Sequence, residues 1–230
     1  MSRELYIALS GASASWTELE VMSGNLANVS TTGFKEQDVA FEVIGPDTGA
    51  LGKVYASTSA PTSDTRQGTL VEDGDPNHLG LQGPGWFVLQ GSGSEAVLTR
   101  DGRFGRNGSN QLATSDGLAV LGAKGPIQIP PGQDFSVDRQ GRVFVGEAQI
   151  DQLRVVDAEV KPVGNNRFSP IGALRGAAAE VRQGALEGSN VDALSGMAEL
   201  IKISRHFEAM QKAMQASDEL DSRLNRLGGH

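Results

Sequence analysis

Ser23-Gly24-Asn25-Leu26-Ala27-Asn28-Val29-Ser30-Thr31-Thr32-Gly33-Phe34-Lys35 is the stretch in which one kind of structure gives way to another. Upstream of it Leu5, Leu9, Ala12, Trp16, Leu19 and Leu26 recur in steps of four and three, with Ser23 on the missing rung. That spacing predicts a helix over residues 4–29 with a heptad-like apolar seam. Small residues (Ala8, Ser10, Gly11, Ala12, Ser13, Ala14, Ser15) crowd its other faces, so close packing on more than one side is open to it. Gly11 and Gly24 each weaken the helix by about 1 kcal/mol relative to Ala, which makes it dependent on a partner. Ser30-Thr31-Thr32-Gly33 stops it, and Phe34 and Phe41 lead into an extended segment.

The far end of the chain mirrors this pattern. Leu200, Ile203, Phe207, Met210, Met214 and Leu224 keep three/four spacing, with Ser217 and Asp221 on the polar rungs. Leu194, Met197 and Ile201 form a neighbouring stripe, so a single partner helix would not cover all the apolar surface. Ser189 or Asn190 is the expected N-cap, Asp192 falls in the first turn, and Gly228-Gly229 ends the helix.

Between the ends the pattern is that of strands and turns. Residues 45–66 read as a polar loop or poorly ordered arm. From 79 to about 160 short apolar or alternating runs, such as Trp86-Phe87-Val88-Leu89, Ile127-Gln128-Ile129 and Val143-Phe144-Val145, are separated by turn signals. Asp101-Gly102, Asn107-Gly108, Asp116-Gly117, Pro130-Pro131-Gly132 and Gln140-Gly141 are those signals. The expected fold is therefore mixed: terminal helices paired as a coiled coil around an all-β, antiparallel barrel-like or sandwich-like middle. The expected boundaries are 1–34 for the first axial helix, 35–78 for an extended segment and loop, 79–183 for the β-rich domain and 184–230 for the second axial helix.

Composition narrows the function. Thirty glycines in 230 residues are nearly twice the usual share, and with no Gly-X-Y period they belong to turns. A net charge of −8 argues against nucleic acid or an anionic membrane surface as partner. The absence of cysteine excludes disulfides, thiol catalysis and Cys-ligated metals. No run approaches the ~20 apolar residues of a membrane span. The first ten residues, with Glu4 among them, do not read as a cleavable signal peptide.

Motifs for chemistry are weak. Asn28-Val29-Ser30 and Asn107-Gly108-Ser109 match glycosylation acceptors, but a helix end and a turn explain them better. Asp73-Gly74-Asp75-Pro76-Asn77 begins like a calcium loop, yet His78 stands where the glycine should be and Pro84 where the bidentate Glu should be. His78, His206 and His230 are scattered, and no nucleophile and base share a frame. Gly83-Pro84-Gly85 precedes a strand, not a helix, so no phosphate loop is indicated. Catalytic residues, cofactors and metals are all expected to be absent, and a cell-wall hydrolase is the disfavoured enzymatic alternative.

Two blocks carry a resemblance. Asn25-Leu26-Ala27-Asn28 through Thr31-Thr32-Gly33-Phe34-Lys35, and Gly184-Ala185-Leu186-Glu187-Gly188-Ser189-Asn190-Val191, resemble the terminal signatures of the flagellar rod and hook family of axial proteins. Gly83-Pro84-Gly85-Trp86-Phe87-Val88, Leu98-Thr99-Arg100-Asp101-Gly102-Arg103-Phe104 and Gln111-Leu112-Ala113-Thr114-Ser115-Asp116-Gly117 are similar to its shared β-domain. Gly24 and Phe207 depart from the residues frequent in the family, Asn and Tyr. The resemblance implies a structural subunit of the basal-body rod, exported through the flagellar type III apparatus without loss of its N-terminus. It also implies assembly with neighbouring axial subunits into a helical shaft around a central channel.

Trp86 and Arg205-His206-Phe207-Glu208 look most like the proximal-rod branch, with the distal rod as rival and a secreted adhesin or phage-tail component as a remoter alternative. The expected assembly interface sets Leu5, Leu9, Trp16, Leu19 and Leu26 against Leu200, Ile203, Phe207, Met210 and Met214, with Asn28 and Phe34 at the junction.

Overall fold

The computed structural model of the chain describes residues 3–44, 55–58, 62–91 and 95–227. They form two compact units. One contains residues up to 27, 37–62 and those from 192 onward; the other contains 28–36 and 63–191.

The first unit is a helix pair. Helix α1 spans Arg3–Ala27 and helix α2 spans Ala193–Leu227. They pack on each other and run antiparallel, for Gly11 lies beside Met210 while Trp16 lies beside Phe207. What α1 buries is mainly small or polar: Ala12, Ser15 and Asn25. A Cβ on Gly11 would stand 3.3 Å from the Met210 Cε. Small residues let the two backbones approach, and the larger α2 side chains fill the space above them. The strands Phe41–Ile44 and Tyr55–Thr58 pair as a hairpin, with Phe41 opposite Thr58, and the second strand lies against α1. Residues 55–58, expected within a loop, are thus a strand; 45–54 and 59–61 lie outside the described residues.

The cap of α2 differs from expectation. Asp192 holds it: its Oδ1 accepts the Leu194 N–H at 3.1 Å and its Oδ2 accepts the Ser195 hydroxyl at 2.6 Å. The Ser195 hydroxyl, then the Leu194 amide, keep the Asp192 carboxyl below its usual range. Asn190 does not cap the helix because its side-chain amide is used elsewhere.

The second unit is built on a closed antiparallel barrel of four strands, Val155–Gly164, Arg167–Gly176, Ala96–Thr99 and Trp86–Gln90. Trp86-Phe87-Val88-Leu89 is buried on both faces, which is why it reads as a continuous apolar run. Its alternation divides two cores. Trp86 and Val88 join Leu98, Val156 and Phe168; Phe87 and Leu89 join Leu79, Leu81, Phe104, Leu112, Ile127 and Ile129, among others. Ring pairs mark both, Trp86–Phe168 at 4.6 Å and Phe87–Phe104 at 5.1 Å and nearly perpendicular.

The runs read as strands end near 160, part-way along the first strand of the longest hairpin among the described residues, which lies inside the expected 79–183 β-rich span. That hairpin turns at Asn165-Asn166, both left-handed at φ 51° and 55°, a pair of residues that tolerates the turn. Ala185–Glu187, expected only to lead into the last helix, is a short strand paired with Leu70–Glu72.

Candidate functional site

Two features stand out, one in each unit. Among the described residues of the helix pair, five large apolar side chains stay exposed: Leu9 and Trp16 on α1, and Leu194, Met197 and Ile201 on α2. Of the interface residues expected from the sequence, Ile203 is buried, while Leu19, Leu26, Leu200, Phe207, Met210 and Met214 are half-buried. Trp16 stays more than half exposed although its ring lies 5.8 Å from that of Phe207. The Leu5 side chain lies outside the described ones. The heptad spacing thus marks a stripe on each helix but does not decide which of its residues the chain itself covers.

Asn25, not singled out among the interface residues, does more than its neighbours. It is buried on α1, its Nδ2 donates to the Gln37 carbonyl at 2.7 Å, and its Oδ1 accepts the Gln37 N–H at 2.9 Å. One amide side chain thereby satisfies both backbone groups of one residue. A polar residue between Leu19 and Leu26, off the seam yet unable to be ignored by a buried helix, is the signal for it.

In the β unit the two signature blocks meet. Lys35 Nζ lies 2.6 Å from Glu187 Oε1, across 152 positions of sequence, and donates also to the Arg66 carbonyl at 2.6 Å. Arg100 Nη1 holds the other carboxylate oxygen at 2.7 Å, and its Nη2 donates to the Gly83 carbonyl at 2.8 Å. The side chains are 0% exposed for Lys35 and Glu187 and 3% for Arg100. Gly68 N–H donates to Glu187 Oε1 at 3.0 Å, and the Arg100 guanidinium lies 5.6 Å from the Trp86 ring centre. Burial pulls the Lys35 ammonium below its ordinary range, against the attraction of Glu187.

The junction residues lie in this unit. Gly33 N–H donates to the Glu187 carbonyl at 2.7 Å. Phe34 is buried, and Asn28, half-buried, accepts the Thr31 hydroxyl at 3.0 Å. Asn166 Nδ2 from the hairpin turn donates to the Thr32 carbonyl at 2.7 Å. Asn190 brackets two further segments: its Oδ1 accepts the Glu36 N–H at 2.8 Å and its Nδ2 donates to the Asp64 and Arg66 carbonyls. Sequence reasoning missed the role of Lys35, Arg100 and Glu187. The only signal was that each ended or centred a recognisable block.

Asp64 adds a pH term. The Arg66 side chain, at 2.6 Å, and its backbone N–H, at 2.9 Å, hold the Asp64 carboxyl below its usual range. A depressed folded pKa gives stability that is present above the unfolded value, near ~3.9, and lost as pH falls through the folded one. Because Arg66 is exposed the effect is at most about 1 kcal/mol. Urea midpoints should fall below about pH 4, and Asp64→Asn should flatten that fall; an unchanged slope would refute the assignment.

Among the described residues no group of three or more acids or histidines is placed to hold a metal ion, and no helix is long and apolar enough to cross a membrane.

Comparison with known proteins agrees with this. Residues 5–35 match the family described as flagella basal body rod protein, 80–145 the flagellar hook protein FlgE/F/G D1 domain, and 182–227 the flagellar basal body rod FlgEFG protein C-terminal family. Over 241 residues the chain is 33% identical to the flagellar basal-body rod protein FlgF of Rhizobium meliloti, covering 100% of this chain and 99% of that one. It is 31% identical over 262 residues to FlgG of Agrobacterium fabrum (97% and 98% covered) and 30% identical over 248 residues to FlgF of Salmonella typhimurium (99% and 98%). With both signatures, the β-domain between them and two terminal helices packed together, the chain belongs to the flagellar basal-body rod family and is a structural subunit of that rod.

Proposed function

We propose that the chain is a subunit of the proximal rod, that it assembles through its terminal helices with neighbouring axial subunits, and that it reaches the rod through the flagellar type III export apparatus. The observation that carries assembly is the set of five exposed apolar side chains on one helix pair, Leu9, Trp16, Leu194, Met197 and Ile201. Left in water they are a liability; with half or more of each still to cover, burial contributes at most about 1.5–3 kcal/mol apiece. A surface that meets a different surface of the next copy builds an open helix where the rotation between copies does not close, as a rod requires. The proximal branch is favoured by length, since the F-type relatives align over 241 and 248 residues and the G-type relative needs 262.

On this reading Leu5, Leu9, Trp16, Leu19 and Leu26 with Leu200, Ile203, Phe207, Met210 and Met214 supply the axial interface. Asn28 and Phe34 set where the N-terminal helix gives way to the β unit. Of the expected axial segments 1–34 and 184–230, residues 28–34 and 184–191 belong to the β unit, so the axial role falls to α1 and α2, with 79–183 within the outer domain.

Phe207→Asp is expected to reduce incorporation into hook–basal bodies at least tenfold, measured by mass spectrometry of the purified particles, while the β unit keeps its unfolding transition. Ile201→Asp changes a residue that is already exposed, so the same loss there would come from contacts between subunits. Normal incorporation of both variants would refute the interface. Copy number in the same particles separates the branches: a few copies support the proximal rod, and tens of copies overturn it in favour of the distal rod.

A further inference from the structure

We propose that Lys35, Arg100 and Glu187 are positioning residues, a buried ionic lock that holds the segment leaving α1 and the segment entering α2 in a single register instead of adding stability. The cluster is poorly designed for stability. One carboxylate stands between two cations, all three are withdrawn from water, and Arg100 Nε has no hydrogen-bond partner among the described residues. A well-packed apolar cluster of the same volume is commonly as stable or more so.

What the ions do better is refuse a slip. The Ala185–Glu187 strand meets Leu70–Glu72 over only three residue pairs, too short a ladder to hold its own register firmly. Moving it by one residue would turn Glu187 away and leave Lys35 and Arg100 buried without their anion. The lock is also tied to four backbone sites: the Arg66 and Gly83 carbonyls, the Gly68 N–H, and the Gly33 N–H on the Glu187 carbonyl.

The test is the triple substitution Lys35→Met, Arg100→Met and Glu187→Leu in the full chain, read three ways. The expected result is a thermal midpoint equal to or above that of the unmodified protein, with the amide resonances of Gly33, Gly68 and Gly188 split into more than one set. Incorporation into rods should then fall at least tenfold. A single set of resonances with the Gly33 amide still protected from exchange would show that register survives without the ions, and would overturn the proposal. If the triple variant does not fold, Lys35→Met with Glu187→Gln keeps the volume and leaves Arg100 its bond to Gly83; split resonances support the lock and a single set refutes it. The last readout rests on the rod reading. Failure of the unmodified protein to enter rods would sink that reading and leave the register result standing.

Discussion

Glu187→Ala is expected to cost the β unit about 3–5 kcal/mol, which for a unit of this size lowers the melting temperature by on the order of 10 °C. Among the described residues the carboxylate is the one anion paired with two buried cations, Lys35 at 2.6 Å and Arg100 at 2.7 Å. Removing it leaves both charges in a site that water does not reach, and it strands the Gly68 N–H as well. The loss is large against a total stability of about 5–15 kcal/mol. Lys35→Met alone should cost less, because Glu187 keeps Arg100 and Gly68 as partners. Calorimetry of the purified full chain measures both. A loss below about 1 kcal/mol for Glu187→Ala would mean that water enters the cluster and screens the charges.

Gly33→Ala should be similarly damaging, at about 3 kcal/mol or more. Gly33 sits at φ +66°, where a side chain costs roughly 1–2 kcal/mol. A Cβ there would also stand 2.3 Å from the Arg100 carbonyl carbon and 2.5 Å from the Asp101 nitrogen. Those are backbone atoms, so no rotamer relieves the clash, and separating the segments breaks the Gly33 bond to the Glu187 carbonyl. Gly74→Ala is the control: φ is +75°, but nothing lies within 4 Å of the added carbon, so only the conformational cost remains. Equal losses at the two positions would show that close approach is not what requires glycine at 33.

Much of the architecture was legible. The heptads of residues 4–29 and 190–227 became α1 and α2 with ends shifted by a few residues, as local periodicity allows. Strands bounded by Gly and Asn turns were legible for the same reason, and the hairpin at Asn165-Asn166, inside the expected 79–183 span but not among the runs named there, carried a readable turn signal. The cap at Asp192 was not readable, since whether Asn190 is free to cap depends on the Glu36, Asp64 and Arg66 backbone groups that engage it. Nor could spacing tell that Ile203 is buried while Leu9 and Trp16 are not, because a heptad marks a stripe and not its depth.

The order of residues alone determined two terminal helices, a β-rich middle and membership in the rod family, all of them set by patterns and motifs a few residues long. Only the tertiary structure decided that Lys35 and Arg100 share the carboxylate of Glu187, which lies 152 positions from Lys35. A buried charge needs its partner within about 3 Å, and no local pattern records which distant segment will bring it there.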